Sequence, residues 1–210
     1  MAASANRPTG AQRTGTTRDR MLRSAVMLLE EHGASATSVD RVLAHSRAPR
    51  GSVYHHFPGG RAQLIDEAVT AAGGFVSGLI HAAAQRAETR EDVLAAVDAF
   101  FALWRGRLLE RGFRAGCPVV AVAVETNDDA PQLARTAAAV FGDWREALAA
   151  LLTAHGLAPE RARRLAGLVI ASVEGAVAMC KAERSITPLD DVAAEVHALL
   201  AAALGVRGNR

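Results

Sequence analysis

The side chains best suited to recognising a ligand lie in one short stretch, residues 48–57, which reads APRGSVYHHF. Val53 and Phe57 are four residues apart, so a helix through this stretch turns both of them inward. The remaining positions leave hydrogen-bonding side chains for phosphates and base edges: Arg50, Ser52, Tyr54 and His55. An arginine can bond bidentately to guanine, a contact worth roughly 1–3 kcal/mol of discrimination. The stretch therefore predicts contact with double-stranded DNA.

Positive charge is concentrated in the same part of the chain. The protein has 210 residues, with 24 Lys and Arg against 22 Asp and Glu, and a formal net charge of +2. Residues 1–65 hold nine Arg and four acidic residues, so they carry +5 and the remainder −3. This asymmetry is typical of a nucleic-acid-binding part on a body with another task, although an Arg-rich surface that only aids solubility gives the same count.

The sequence gives little support for a metal site, a disulfide framework or a catalytic site. His55 and His56 are adjacent, so on a helix they point about 100° apart and are poorly placed to chelate one metal ion. Cys117 and Cys180 are too few for a disulfide framework or a zinc cluster, which favours a reducing, cytoplasmic compartment without metal or other cofactor. No nucleophile elbow, metal-ligand spacing or phosphate loop surrounds the candidate acids and bases, so we expect no enzymatic activity. These candidates are Glu125, Asp128, His155 and Glu174.

The composition predicts an all-α fold to position these residues. Alanine accounts for 46 residues, half of the chain is apolar and only 4% is aromatic. Apolar periodicity and Gly, Pro or polar breaks predict nine helices, near residues 17–33, 38–46, 49–57, 61–85, 90–110, 118–126, 131–155, 159–184 and 188–204. Residues 119–124 also fit a short β-strand, but their alanines favour a helix.

The helices divide the chain into three parts. Residues 1–16 lack periodicity and are expected to form a mobile arm, residues 17–62 a small head, and residues 63–205 a helical body. The first twenty residues have no secretory signal. The longest charge-free segment, residues 68–85, contains more Ala, Gly, Ser and Thr than a membrane span usually has. We therefore expect a soluble protein without membrane contact.

The head has the order of a helix-turn-helix motif, because two short helices joined by a sharp turn follow an amphipathic first helix. Thr17 is predicted to cap the first helix and Gly33 to end it, while Thr37 and Ser38 are candidate caps for the second. Pro49 suits the first turn of the third helix, since its φ is fixed near the helical value. The N-terminal end of that helix can enter a major groove about 12 Å wide.

Residues 37–64 resemble the TetR family of bacterial transcriptional regulators. The strongest element is GSVYHHFPGGRAQL at residues 51–64, which is similar to the family's Gly-Thr-Leu-Tyr-x-His-Phe signature. Gly-Cys-Pro-Val at residues 116–119 and Glu-Gly-Ala at residues 174–176 resemble the LmrA/YxaF-like branch in particular. The resemblance implies a three-helix DNA-binding head followed by a C-terminal helical domain for ligand binding and dimerisation.

The resemblance also implies roles for residues of the head. It implies contacts to the DNA backbone from Thr37, Tyr54, His55 and Arg61, with Thr37 also capping the second helix. It implies base reading by Arg47, Pro49, Arg50 and Ser52. The ring of Tyr54 is expected to pack on the core. This chain departs from the family pattern at two positions, since Arg47 stands where Gly is usual and Pro49 where a polar cap is usual.

The scarce aromatic residues of the body gather on two predicted helices and indicate a pocket for an apolar or aromatic small molecule. The predicted lining consists of Phe101, Trp104, Cys117, Val120, Phe141, Trp144 and Leu148. The same rings fill a core equally well. For Cys117 a core position is favoured over redox sensing, because nothing near it in sequence would lower its pKa.

The last two helices carry a face that predicts a homodimer. Small residues that recur along the eighth helix permit close helix crossing. The predicted interface consists of Gly167, Leu168, Ala171, Gly175, Val192, Val196 and Leu199. In the resembled family these helices pair in a four-helix bundle, and two recognition helices about 34–36 Å apart read the half-sites of a palindrome. The alternative is packing within one chain only.

Together these patterns predict a ligand-responsive transcriptional regulator. In the resembled family most members are repressors, which implies release from a palindromic operator by a small apolar or aromatic effector. Two alternatives are a helical adaptor that uses the head for protein contacts and an activator without small-molecule induction.

Overall fold

The computed structural model describes residues 16–125 and 130–206. Over these residues the chain forms nine α-helices and no strand, so the all-α prediction is confirmed. The helices are α1 (Thr17–His32), α2 (Val39–Ser46), α3 (Ser52–His56), α4 (Gly60–Arg86), α5 (Arg90–Glu110), α6 (Pro118–Glu125), α7 (Pro131–Ala154), α8 (Pro159–Glu183) and α9 (Thr187–Leu204). The predicted mobile arm up to residue 15 and the predicted break at Asn127–Asp129 lie outside the described residues.

The residue that caps helix α1 lies one position earlier than predicted. The Thr16 hydroxyl accepts a hydrogen bond from the Asp19 N–H, and the Asp19 carboxylate accepts one from the Thr16 N–H. This reciprocal pair is a capping box, which satisfies two N–H groups that the helix cannot use. The cap is therefore Thr16 rather than Thr17. The helix ends at Gly33, whose φ of +82° suits glycine, as predicted.

The cap of α2 is Ser38, and the prediction that Thr37 caps this helix is wrong. The Ser38 hydroxyl accepts a hydrogen bond from the Arg41 N–H. The Thr37 side chain is fully buried, and its hydroxyl donates to the Gly33 carbonyl at 2.7 Å. Thr37 thus fixes the α1–α2 loop from inside, and its hydroxyl is not available to a phosphate in this conformation.

Helix α3 is shorter than predicted because it begins at Ser52 instead of Pro49. Pro49 and Arg50 lie in the turn before it, and both the N–H and the hydroxyl of Ser52 donate to the Pro49 carbonyl. On the inner side, Val53 and Phe57 are buried in the head's core as predicted. The five-residue helix is therefore held by these two anchors and by the turn.

One continuous helix joins the head to the body. Helix α4 spans 27 residues, packs against α1 at its beginning and against α7 along the body, and crosses the predicted domain boundary at residue 62. Around it, α7 packs on α8, α8 on α9, and α9 on α5. Helix α4 therefore belongs to both the head and the body.

Helix α8 is the central element of the body. By length and composition it could cross a membrane, a property that it shares with core helices of soluble proteins. Eight of its residues are buried, which fits the core-helix interpretation. Glycine and alanine on its other side stay exposed, at Ala171 and Gly175.

Candidate DNA-binding surface and effector cavities

The turn before α3 and the outer side of α3 form an exposed polar surface. Pro49, Arg50 and His55 are exposed, and Tyr54 is 67% exposed, so the expectation that its ring packs on the core is wrong. Exposed arginine, histidine and tyrosine are the side chains that contact phosphates and bases in helix-turn-helix proteins. The structure thus brings the predicted recognition residues together on one side of the head.

Gly51 lies at the centre of this surface and leaves room for close approach. A Cβ at this position would meet nothing within 4 Å, and its φ of −75° is open to any L-residue. The fold therefore does not require glycine here. A glycine with no structural purpose, between Arg50 and the half-buried Ser52, suits a surface that must lie against another molecule.

Arg47 adopts the left-handed conformation, with φ of 53° and ψ of 37°, at the end of α2. This backbone costs an L-residue about 1 kcal/mol or more, which explains why glycine suits such a position. The side chain is exposed and lies in the turn that precedes α3. The head therefore retains a strained, exposed residue between α2 and α3.

Arg61 is exposed, but its guanidinium group donates hydrogen bonds to the protein backbone. Its Nε donates to the Thr37 carbonyl at 2.9 Å, and its Nη2 donates to the Ala34 carbonyl. The predicted phosphate anchor is thus a clamp on the α1–α2 loop in this conformation. The phosphate contact of the exposed Arg61 stays a prediction.

The same loop is held from the body by Glu125, the last residue of α6. Its carboxylate accepts hydrogen bonds from the Ala34 N–H at 3.0 Å and the Ser35 N–H at 2.6 Å. Burial alone would raise the pKa of Glu125, but the hydrogen bonds from Ser35 and Ala34 lower it on balance. A Cβ on Gly33 would lie 2.1 Å from the carboxylate, so glycine also gives Glu125 its access.

A second set of contacts fixes the C-terminal turn of α1 to the body. Arg107 pairs with the buried carboxylate of Glu30, and Arg111 pairs with Glu31 at 2.6 Å. Lys181 of α8 donates to the Glu30 carbonyl at 2.7 Å. Burial raises the pKa of Glu30 despite the opposing charge of Arg107. The sequence analysis missed this junction, because each contact joins residues 77 to 151 positions apart.

Two cavities adjoin, the first between the head and the body and the second in the body. The first, of about 500 Å³, is lined by α1, α4, α5, the start of α6 and Trp144 of α7, and the second, of about 560 Å³, by α4, α5, α7 and α8. Both volumes suit a small molecule. Of the predicted lining, Trp104 and Cys117 border the first cavity, Leu148 the second and Trp144 both. The cavities are not lined by the other three predicted residues, Phe101, Val120 and Phe141.

The three predicted residues that do not line a cavity pack in or against the core instead. Phe101 is buried in the core, and Val120 is only partly buried against it. The ring of Phe141 packs edge-on against Trp144, with the centroids 5.5 Å apart. Trp144 Nε1 donates to the Gly73 carbonyl at 3.0 Å, which fixes its ring between the two cavities.

Two buried polar atoms near the cavities have no hydrogen-bond partner among the described residues. They are Trp104 Nε1, beside the first cavity, and Glu174 Oε2, beside the second. Burial raises the pKa of Glu174 to about 7, although its hydrogen bond with Cys117 lowers it. Burial, together with the charge of Glu174, raises the pKa of the Cys117 thiol, so this residue has none of the thiolate character that redox sensing needs.

No group of three or more potential metal ligands occurs within residues 16–125 and 130–206. The rings of His55 and His56 lie 4.9 Å apart in an edge-on contact, and both belong to the polar surface around α3. Of the candidate acids and bases, Glu125 and His155 bond to backbone groups, and Asp128 lies outside the described residues.

The predicted dimer face is only partly exposed. Leu168, Ala171 and Gly175 are exposed on α8, and a Cβ on Gly175 would meet nothing within 4 Å. Gly167, Val192 and Leu199 are half-buried. Val196 is buried in the core of the single chain, so its assignment to the interface is wrong.

Comparisons with known proteins agree with these features. Residues 21–68 match the family described as "Bacterial regulatory proteins, tetR family", and residues 93–195 match "Transcriptional regulator LmrA/YxaF-like, C-terminal domain". An uncharacterized HTH-type transcriptional regulator from Mycobacterium tuberculosis is 45% identical over 198 residues, which cover 91% of this chain and 98% of the relative. The regulator YxaF from Bacillus subtilis is 30% identical, over 89% of this chain and 96% of the relative.

Solved structures show the same fold. A TetR transcriptional regulator from Legionella pneumophila superposes with a TM-score of 0.78 at 18% identity, over 90% of this chain and 99% of that one. One from Chloroflexus aurantiacus gives 0.70 at 27% identity, over 88% and 93%. The chain therefore belongs to the TetR family of bacterial transcriptional regulators, in its LmrA/YxaF-like branch, with α2 and α3 as its DNA-binding helix-turn-helix.

Proposed function

We propose that this regulator is a homodimeric, non-enzymatic repressor, released from a palindromic operator by a small apolar or aromatic effector. One observation carries the proposal: the first cavity is lined both by the head, through Leu22 and Val26 of α1, and by the body, through Trp104 and Trp144. A molecule in this cavity touches both parts at once. It can therefore favour one head orientation over another, which is the differential contact that allosteric coupling requires.

In this proposal the recognition surface inserts α3 and its preceding turn into the major groove. Arg50 reads guanine, while Tyr54 and His55 contact phosphates, and Gly51 permits close approach. Arg47, Pro49 and Ser52 complete the predicted surface. The buried Thr37 and the exposed Arg61 act by holding the α1–α2 loop through their donors.

Dimerisation in this proposal uses the exposed small residues of α8. Ala171 and Gly175 let the α8 helix of a second copy approach closely, and the neighbouring exposed Leu168 and Met179 supply apolar area. The face also includes Gly167, Val192 and Leu199. A two-fold pair of heads then matches a palindromic operator.

The coupling route in this proposal runs through α4 and the α1 junction. Occupation of the cavities displaces α4 and α5, and Glu125, Arg107 and Lys181 transmit the change to α1 and the α1–α2 loop. The two heads then lose the spacing that the operator needs. A coupling of typically 1–3 kcal/mol for each effector suffices for release when both subunits respond. The protein acts in the cytoplasm and needs no membrane.

Footprinting on the intergenic DNA beside its own gene tests the proposal. We expect one protected palindrome, with binding weakened at least tenfold by Arg50→Ala and Tyr54→Ala together and unchanged by Arg161→Ala, an exposed arginine on α8. The double variant should also make the dependence of log affinity on log salt less steep, because it removes the positive charge of Arg50 from the DNA-binding surface. No protected palindrome under any condition would refute the DNA-binding part. A reporter gene that is silenced by the protein separates repression from activation.

A further inference from the structure

The second cavity combines an apolar wall with one deeply placed carboxyl group. Alanines of α4 and α5 leave its volume open, and Phe100 and Trp144 supply aromatic surface. Arg86 and Asp92 also line the cavity, but both are exposed to solvent. Glu174, which is half-buried, is thus the one charged residue of this lining that is not exposed.

The carboxyl group of Glu174 is incompletely satisfied. Its Oε2 has no accessible surface and no hydrogen-bond partner among the described residues, and its side-chain contact is with the Cys117 thiol. An unpaired buried carboxylate is costly, and buried polar atoms in native proteins nearly always have a partner. A leucine of similar size would avoid this cost. The position therefore fits a partner that arrives with a ligand.

We propose that this cavity binds an apolar or aromatic molecule that carries one basic nitrogen, whose ammonium group donates to the carboxylate of Glu174. The inference rests on the proposed effector response and adds the chemical class of the effector. The hydrocarbon part lies against the alanines, Phe100 and Trp144. Pairing of the two charges away from water gives a stronger hydrogen bond than between neutral groups, so an amine binds better than an uncharged molecule of the same shape.

The proposal has a defined dependence on pH. Burial holds the pKa of Glu174 near 7, and Cys117, whose own pKa burial raises, is the titratable group in contact with it. Arg86 from α4 and Asp92 from α5 are the other charged groups at the cavity, and α7 contributes uncharged residues. An ammonium ion favours the carboxylate, so its affinity rises about tenfold from pH 6 to pH 8 and levels off above the pKa.

Calorimetric titration of the full chain with two matched probes tests the inference. The probes are 1-naphthylmethylamine, protonated throughout this pH range, and 1-naphthylmethanol, its uncharged counterpart of similar shape. At pH 8 we expect the amine to bind at least tenfold more tightly than the alcohol. Glu174→Gln should remove that preference and its pH dependence while alcohol affinity stays the same. Glu146→Gln, which removes an exposed carboxylate on α7, should change neither.

Equal binding of both probes by the natural chain, no binding of the amine, or an amine preference that survives Glu174→Gln would overturn the inference. Alcohol affinity and the far-ultraviolet circular dichroism spectrum show whether the variant is folded. Operator release is measured separately by fluorescence anisotropy. Glu174-dependent amine binding that leaves operator affinity unchanged would refute the proposed effector response and retain the site.

Discussion

Replacing Glu125 with glutamine tests whether the body holds the α1–α2 loop. The carboxylate accepts two backbone N–H groups, at 3.0 and 2.6 Å. A hydrogen bond to a charged group contributes about 1.5–3 kcal/mol, but this side chain is exposed, so we expect a total loss of about 1–2 kcal/mol. Glutamine keeps one oxygen that can accept from one of the two backbone N–H groups. Its NH₂ group stands opposite the other N–H, so that hydrogen bond is lost while the size of the side chain is unchanged.

The assay is amide hydrogen exchange at Ala34 and Ser35. A loss of about 1–2 kcal/mol raises the local opening equilibrium by a factor of about 5–30, and exchange at these two amides should accelerate by the same factor. Glu146→Gln, an exposed substitution on α7, serves as the control and should leave both amides unchanged. Unaltered exchange at both amides in Glu125→Gln would refute the assignment of Glu125 as a tether.

The pH dependence gives a second check with a definite sign. The pKa of Glu125 is lowered in the folded chain from its usual 4.5, so its contribution is complete above that value and is lost as pH falls through the folded pKa. The difference in unfolding free energy between the natural chain and Glu125→Gln should therefore be constant from pH 6 to 8. It should shrink below about pH 4.5, as urea denaturation will show.

Three further substitutions test the head and the dimer face. Gly51→Leu should change the free energy of unfolding by no more than about 1 kcal/mol, since a Cβ at this position meets nothing within 4 Å. The same substitution should weaken operator binding at least tenfold, as measured by fluorescence anisotropy. Unchanged affinity would contradict a close approach of Gly51 to DNA. Arg47→Gly should stabilise the head by about 0.5–1 kcal/mol in urea denaturation, because glycine adopts the left-handed conformation at this position without strain. Operator affinity should fall, since the arginine side chain is lost. A less stable variant would contradict the strain assigned to Arg47. Gly175→Arg should convert a dimer to a monomer in analytical ultracentrifugation, whereas Gly74→Arg, equally free of contacts on α4, should not; a dimeric Gly175→Arg would remove α8 from the interface.

The local parts of this fold could be predicted from the sequence because their signals are local. Gly33 and Pro131 mark helix ends by backbone chemistry that acts within one turn, and the predicted and observed bounds there differ by no more than one residue. The start of α3 was misjudged for a related reason. Pro49 is as acceptable in a turn as in a first helical turn, and only the Ser52 hydrogen bonds to its carbonyl decide between the two.

The site in the body could be predicted less well, since it depends on which helices meet. Aromatic residues indicated the region in which the two cavities lie, but a ring such as Phe101 can fill a core or line a cavity, and helix rotation decides which. Val196 illustrates the same limit on α9: its apolar side chain suits either an interface or the core, and the structure buries it within one chain. The partners of Glu125 and Lys181 lie 90 and 151 residues away, beyond any periodic pattern.

The junction bears on how, in the proposed mechanism, a small molecule would compete with an operator. The polar contacts between α1 and the body are few, and each surface-exposed pair contributes about 1 kcal/mol or less. Their sum is therefore comparable with the 1–3 kcal/mol that one effector supplies by preferring one conformation. Glu30 and Arg107 are the exception, because Glu30 is buried and a broken pair would leave its charge uncompensated. We therefore expect the head to turn about this pair as a fixed point, while the contacts of the exposed Glu125 and the half-buried Arg111 open. Exchange at Ala34 and Ser35 should rise when an effector binds, and Arg107→Met should weaken the response to effector more than Arg111→Met does. Equal effects of the two substitutions would show that the junction moves as one unit.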